Sequence, residues 1–315
     1  PTTETPAPAP AKDEKPQALA GARFLRVSPD GKQLAFSLWS DIWVMPVEGG
    51  RATRLTLHES NDIKPVWSRD GKRIAFTSDR NGSFDVFSMP ADGGVPTRLT
   101  FDSAQDHVCE YSADGSSIII QSTMFGGEWR LYSLPVDGGQ PVPVTPVSSA
   151  GGSFSSDGWV YFVMPQSDAK VKGYRGSAND ELYRMKLEAG SIPEQLTKNN
   201  QNDREPYISA DNKTLYFIRE AGKSHKDFNL FAMNVETREE KQITTLDQNG
   251  LNNLTFNSDF TKVWFTWKYR IFSLDLTTAG ATPVACPVEI IEDSRRETVN
   301  ERVATSGAQS LDISA

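Results

Sequence analysis

Six near-copies of one short phrase, Ser-x-Asp-Gly followed by an apolar run, divide this chain into units of similar length. They are Ser28-Pro29-Asp30-Gly31, Ser68-Arg69-Asp70-Gly71, Ser112-Ala113-Asp114-Gly115, Ser155-Ser156-Asp157-Gly158, Ser209-Ala210-Asp211-Asn212 and Asn257-Ser258-Asp259-Phe260. The aspartates are spaced by 40, 44, 43, 54 and 48 residues, a period that belongs to rings of small sheets. The expected fold is all-β: a six-bladed β-propeller of four-stranded antiparallel blades.

Unit two shows the grammar most clearly. Lys64-Pro65-Val66-Trp67 enters as a short strand, the phrase turns it, and Arg73-Ile74-Ala75-Phe76-Thr77 returns. Asp85-Val86-Phe87-Ser88-Met89 makes a third strand, Ala91-Asp92-Gly93-Gly94 turns again, and Thr97-Arg98-Leu99-Thr100 closes the unit. Asp caps its own backbone in such turns, and Gly accepts the last dihedrals. Fourth strands elsewhere end alike, in Leu55-Thr56, Val144-Thr145, Leu196-Thr197 and Ile243-Thr244.

The expected division is a Pro/Ala-rich tether over 1–20, a propeller over 21–286, and a linker with the first strand of a truncated following module over 287–315. No strand precedes Arg23 to complete blade six. Closure then rests on packing between blades one and six, unless the tail pairs with a sheet edge.

Composition excludes several function classes. With 33 Lys+Arg against 41 Asp+Glu the net charge is -8, and a nucleic acid partner needs clustered basic residues. No apolar run is long enough for a membrane span. The three histidines, His58, His107 and His225, share no metal-ligand spacing, so neither a metal site nor a cofactor is expected. No Gly-x-Ser-x-Gly elbow occurs, and no catalytic residue is assigned. Cys109 and Cys286 fall nearly opposite each other in the ring, too far apart to bridge. A tether of this kind often follows an export signal or lipid anchor, so an extracytoplasmic location, periplasmic or secreted, is expected, with the cytoplasm as the alternative.

Strand alternation puts the tight first-to-second and third-to-fourth turns on one face. The second-to-third loops and blade connectors lie on the other, where length varies over 122–128, 166–180 and 219–227. Such growth marks the partner-facing side. On that face, at the starts of inner strands, Asp62, Asp106 and Asp203 recur with Lys64, His107, Arg204 and Glu205 nearby. One reading is a charged collar that selects a peptide at the channel mouth. The other is that each Asp caps its connector and pairs with a neighbouring cation. If the collar binds, Asp62→Asn with Asp203→Asn weakens binding and leaves melting nearly unchanged. Most of the tryptophans occupy strand positions and read as blade core, with Trp129, in or just after a binding-face loop, the exception.

The phrase Pro65-Val66-Trp67-Ser68-Arg69-Asp70-Gly71-Lys72-Arg73-Ile74-Ala75-Phe76-Thr77-Ser78-Asp79-Arg80, followed by Gly93-Gly94 and Arg98-Leu99-Thr100, resembles the TolB-type propeller repeat. The opening Ser40-Asp41-Ile42-Trp43, the enlarged fourth blade and the exit Pro287-Val288-Glu289-Ile290-Ile291-Glu292-Asp293 resemble the first propeller of bacterial tricorn-like serine peptidases. That resemblance implies a non-catalytic domain that filters or guides peptides toward peptidase modules elsewhere. A TolB-like envelope scaffold binding a protein partner is the alternative.

Overall fold

Each Ser-x-Asp-Gly phrase closes on itself before it meets anything distant. In the first, Ser28 Oγ donates to Asp30 Oδ1 at 2.6 Å, the Lys32 amide donates to the same carboxylate oxygen, and the Gln33 amide donates to Ser28 Oγ. The same three bonds recur at Ser68 and Asp70, and at Ser209 and Asp211. The serine hydroxyl is the main cause that holds Asp30, Asp70, Asp114 and Asp211 below the usual carboxylate range. These aspartates are turn residues whose negative charge is satisfied locally.

The computed structural model describes residues 21–290 except 125, 165–178, 189 and 222–226. The turns connect six antiparallel sheets in strict chain order, a six-bladed propeller. The inner strands are Arg23–Val27, Asp62–Trp67, Asp106–Tyr111, Ala150–Phe154, Asp203–Ile208 and Asn252–Phe256. Among the described residues there is no helix long and apolar enough to cross a membrane. The tether expected over 1–20 and the truncated strand expected near 307–315 fall outside the described residues, as does most of the long fourth-blade loop.

Apolar side chains collect between blades, one cluster to each interface. Ala35, Ile42 and Val44 of blade one meet Trp67, Ile74 and Phe76 of blade two, and four further clusters continue round the ring. At the last interface Trp264 and Ile271 of blade six join Leu25, Leu34 and Trp43 of blade one. A single blade leaves both faces wet, so the sheets stabilise one another by stacking.

The threonine that ends most fourth strands has a repeated task. Its hydroxyl accepts the amide of a third-strand residue: Ile42 to Thr56, Val86 to Thr100, Leu131 to Thr145, Leu182 to Thr197 and Leu230 to Thr244, at 2.9 to 3.1 Å. In four blades the same hydroxyl donates to an acid or amide preceding that residue, Asp41, Asp85, Glu181 or Asn229. The short outer strand is thereby pinned by a side chain where its backbone ladder runs out.

Inner strands carry a second repeated device. In five of them one residue sits at positive φ, namely Phe24, Lys64, Gly151, Glu205 and Asn253, and the ladder slips register around each. Blade three slips opposite Cys109. A bulge removes an amide from the ladder, and a side chain of the preceding blade accepts the freed or neighbouring donor. Lys64 donates to Ser37 Oγ, Val108 to Thr77 Oγ1, Phe154 to Glu110 Oε1 and Ile208 to Ser153 Oγ. Asn253 and Leu254 donate to the Glu205 carboxylate.

The sixth seam follows the same rule. The Phe24 amide donates to Asn253 Oδ1 and that of Val27 to Thr255 Oγ1, both at 3.0 Å, while Trp264 Nε1 reaches the Val47 carbonyl. The tail also pairs with an edge. Val288–Ile290 runs parallel to Gly50–Arg54 and gives blade one a fifth strand, and the Gly50 amide bonds the Pro287 carbonyl at 2.7 Å. Gly49 permits this approach: at φ +97, a Cβ there would stand 2.4 Å from that oxygen.

Candidate functional site

The inner-strand bulges face a central cavity of about 380 Å³. Its wall includes Phe24, Lys64, Arg204, Tyr207, Phe228 and Asn253. Gln121, Val163 and Asp180 also contribute; like Phe228 they lie where second strands end or third strands begin, so the cavity reaches the loop-rich face. This is a concave, partly aromatic site within the usual size range for ligand pockets.

The seven residues singled out in the sequence separate into three groups. Lys64 and Arg204 line the cavity. Lys64 Nζ lies 5.8 Å from the Phe24 ring centroid. Arg204 bonds Asp180 through Nε and stands 5.4 Å from the Phe228 ring centroid. Both set a cationic group beside an aromatic surface, that of Arg204 already paired with Asp180.

Asp62 and Asp203 face into their own blades. Asp62 accepts two bonds from Arg80 Nη2, each 2.9 Å. Asp203 accepts Arg219 Nε at 2.6 Å and Nη2 at 2.8 Å, with Asn199 adding a third donor. Both aspartates have no exposed surface. Each guanidinium lies over an aromatic pair, Phe76 with Phe87 and Phe217 with Phe231. This is the neighbouring-cation arrangement, in which the carboxylates brace the loop-face end of the blade.

Blade three lacks the corresponding arginine. Asp106 pairs across the ladder with Ser122 as Asp62 does with Ser78. Two residues beyond that serine stands Met124, where blade two has Arg80, and Met124 packs against the blade core. Both Asp106 oxygens are buried without a well-formed hydrogen bond. Burial pushes the carboxyl up, opposed by the nearby Ser122 and Thr100 hydroxyls and reinforced by Asp102 and Asp85. Beside it, His107 stacks between Phe84 and Trp129, with ring centroids 5.1 and 5.2 Å away. Burial, then Lys64, lowers His107 to about 3, so the imidazole is neutral and contributes an aromatic face.

Trp129 is half-buried in this stack, whereas Trp39 is 61% exposed. Trp39 and Ser40 both have positive φ at the hairpin tip between Leu38 and Asp41. The expectation that Trp39 belongs to the core is therefore corrected: it follows the last strand residue and has left the sheet.

Deeper in the bore are residues that the sequence reading passed over, Arg26, Glu110 and Tyr207. Arg26 Nη1 donates to Tyr207 Oη at 2.8 Å and to the Leu25 carbonyl at 3.0 Å, and Nη2 donates to the Cys109 carbonyl at 3.3 Å. Burial raises the Tyr207 phenol to about 12, so it stays protonated and donates to the Leu254 carbonyl. The available signal was a charge in mid-strand: Arg26 and Glu110 interrupt runs that otherwise read as apolar inner strand.

Glu110 is pushed up to about 7 by burial, against the pull of Arg69, Arg26 and the Phe154 amide. Its stabilising contribution is full below its ordinary value near 4.5 and is lost as pH rises through 7. Between pH 5 and 8 the melting temperature should therefore fall more steeply in the wild type than in Glu110→Gln. Parallel slopes in thermal melts would show that this carboxyl does not titrate in that window.

The sequence profile of the tricorn protease N-terminal beta propeller domain matches residues 22–280. Tricorn protease homolog 1 of Streptomyces coelicolor is 38% identical over 72 residues, 23% of this chain and 7% of that protein. Dipeptidyl-peptidase 5 of Porphyromonas gingivalis is 33% identical over 78 residues, 22% of this chain and 11% of that protein. These matches thus span about a tenth or less of the curated relatives' length. In fold, the chain is similar to the crystal structure of the tricorn protease, with TM-score 0.71 and 16% identity over 87% of this chain and 27% of the other. TolB from Acinetobacter baumannii aligns with TM-score 0.59 and 20% identity over 75% and 57%. With the profile covering the ring almost end to end, the chain belongs to the tricorn protease N-terminal β-propeller family.

Proposed function

We propose that this propeller is a non-catalytic recognition domain of a tricorn-like serine peptidase. It receives unfolded peptide at its loop-rich face and directs it toward proteolysis carried out by other modules, in an extracytoplasmic setting. The observation that carries this reading is the central cavity, which reaches that face and sets Lys64 and Arg204 beside Phe24, Tyr207 and Phe228. Cations next to aromatic rings suit an extended peptide, whose carbonyls and side chains need both polar and apolar contacts. Asp62 and Asp203 have a supporting part, because their charge is already neutralised by Arg80 and Arg219.

The test is fluorescence anisotropy with a labelled, unstructured peptide pool. Lys64→Ala with Arg204→Ala should weaken binding at least tenfold, whereas Lys72→Ala on the tight-turn face should leave it unchanged. Equal affinities for all three proteins would refute the cavity as the peptide site. Capture of a folded envelope protein by the cavity variant as well as by the wild type would instead favour the TolB-like scaffold.

A further inference from the structure

Arg26 stands near the tight-turn end of the blade-one inner strand. Its guanidinium touches Tyr207 on blade five and Cys109 on blade three. Blades one, three and five alternate around a six-membered ring, so a side chain on one that bonds the other two must cross the ring axis. The Tyr207 hydroxyl extends the link to blade six through the Leu254 carbonyl at 2.6 Å. The Arg26 carbonyl is held as well, by Trp67 Nε1 of blade two at 3.0 Å.

The geometry points to a blind pocket: the bore is entered from the loop-rich face, its floor is the Arg26 clasp, and it becomes a through passage only when that guanidinium lets go. This deepens the proposed function, because it rests on the cavity being where peptide enters. Arg26 acts there as a positioning residue that sets how far a peptide end can advance. The clasp is costly to undo. Hydrogen bonds from a charged donor are stronger than neutral ones, and both cross-axis acceptors are neutral oxygens that hold the guanidinium without forming an ion pair. Glu110, on the same strand as Cys109, has one oxygen committed to the Phe154 amide. It therefore sits beside the clasp without replacing either cross-axis bond.

Cys109 reports on the clasp without any ligand. It is the unpaired residue of the blade-three bulge, sits in the cavity wall with its carbonyl pinned by Arg26, and packs with Ile119 and Leu131 in the core between blades three and four. Cys286, buried at the end of blade six, is the internal control. Modification by a small water-soluble methanethiosulfonate, followed by mass spectrometry, should be slow at both cysteines in the wild type. Arg26→Ala should speed Cys109 at least tenfold and leave Cys286 unchanged. Tyr207→Phe, which keeps the ring and removes one acceptor, should speed Cys109 about threefold and decides the matter if Arg26→Ala does not fold. Cys109 rates equal to wild type in a folded variant would overturn the clasp. Loss of peptide binding in Lys64→Ala with Arg204→Ala bears on the peptide site alone, so the two ideas fail separately.

Discussion

Asp203→Ala is expected to lower the melting temperature by roughly 5–10 °C, because it leaves Arg219 buried with half of its partners removed. Arg219 is 7% exposed and spends Nε and Nη2 on Asp203, while Nη1 and Nη2 also meet the more exposed Glu240. Breaking a buried pair by deleting one member costs about 3–5 kcal/mol, since the remaining charge keeps its desolvation penalty. Glu240→Ala, with solvent close by, should cost under about 1 kcal/mol. The sequence alone suggested that neutralising Asp62 and Asp203 would leave melting nearly unchanged. The buried arginine partners reverse that expectation, and Asp62→Ala should behave like Asp203→Ala. Urea melts that place Asp203→Ala within 1 kcal/mol of wild type would mean that water or another side chain replaces the lost oxygens.

Gly250→Ala should be comparably damaging for a different reason. Gly250 sits at φ +67 in the connector into blade six, where it forms an isolated parallel bridge with Phe228. The Leu251 amide bonds the Phe228 carbonyl at 2.9 Å. A Cβ on residue 250 would fall 1.9 Å from that oxygen and 2.4 Å from the Phe228 nitrogen. Backbone cannot retreat as a flexible side chain does. Left-handed strain costs about 1–3 kcal/mol and forced overpacking about as much again, enough to separate the connector from blade five. Gly158→Ala is the matched control: it also has positive φ, but nothing lies within 4 Å of its Cβ, so it should show the strain component alone. Equal melting temperatures for the two variants would remove the clash from the explanation.

The parts of the fold written in local chemistry were legible. A Ser-x-Asp-Gly turn satisfies its own donors within five residues, so its signature survives in any context, and six copies at a steady period leave few architectures. The Leu-Thr ending was equally visible, although its purpose, capping a third-strand amide, needed coordinates. The bulges were hidden because Phe24, Lys64 and Glu205 are not residues that announce positive φ. What holds them there is the preceding blade, through Asn253, Ser37 and other side chains more than twenty residues away. For the same reason Arg26 and Glu110 look like flaws in an apolar strand until the ring closes and gives them an axis to face. Of the expected collar, Lys64 and Arg204 reach the cavity while Asp62 and Asp203 turn inward: alternation alone separates Arg204 from the preceding Asp203, and the bulge at Lys64 breaks the alternation that would otherwise put it on the side of Asp62.

The parallel strand at Val288–Ile290 makes the order of unfolding depend on the wrong end of the chain. The last blade cannot swing outward while the segment that follows it is sewn to the outer wall of the first. Thermal breathing that would ordinarily begin where the first and last blades meet must first unpick this stitch, and within the ring the earliest amides to exchange should then lie in blades far from that join.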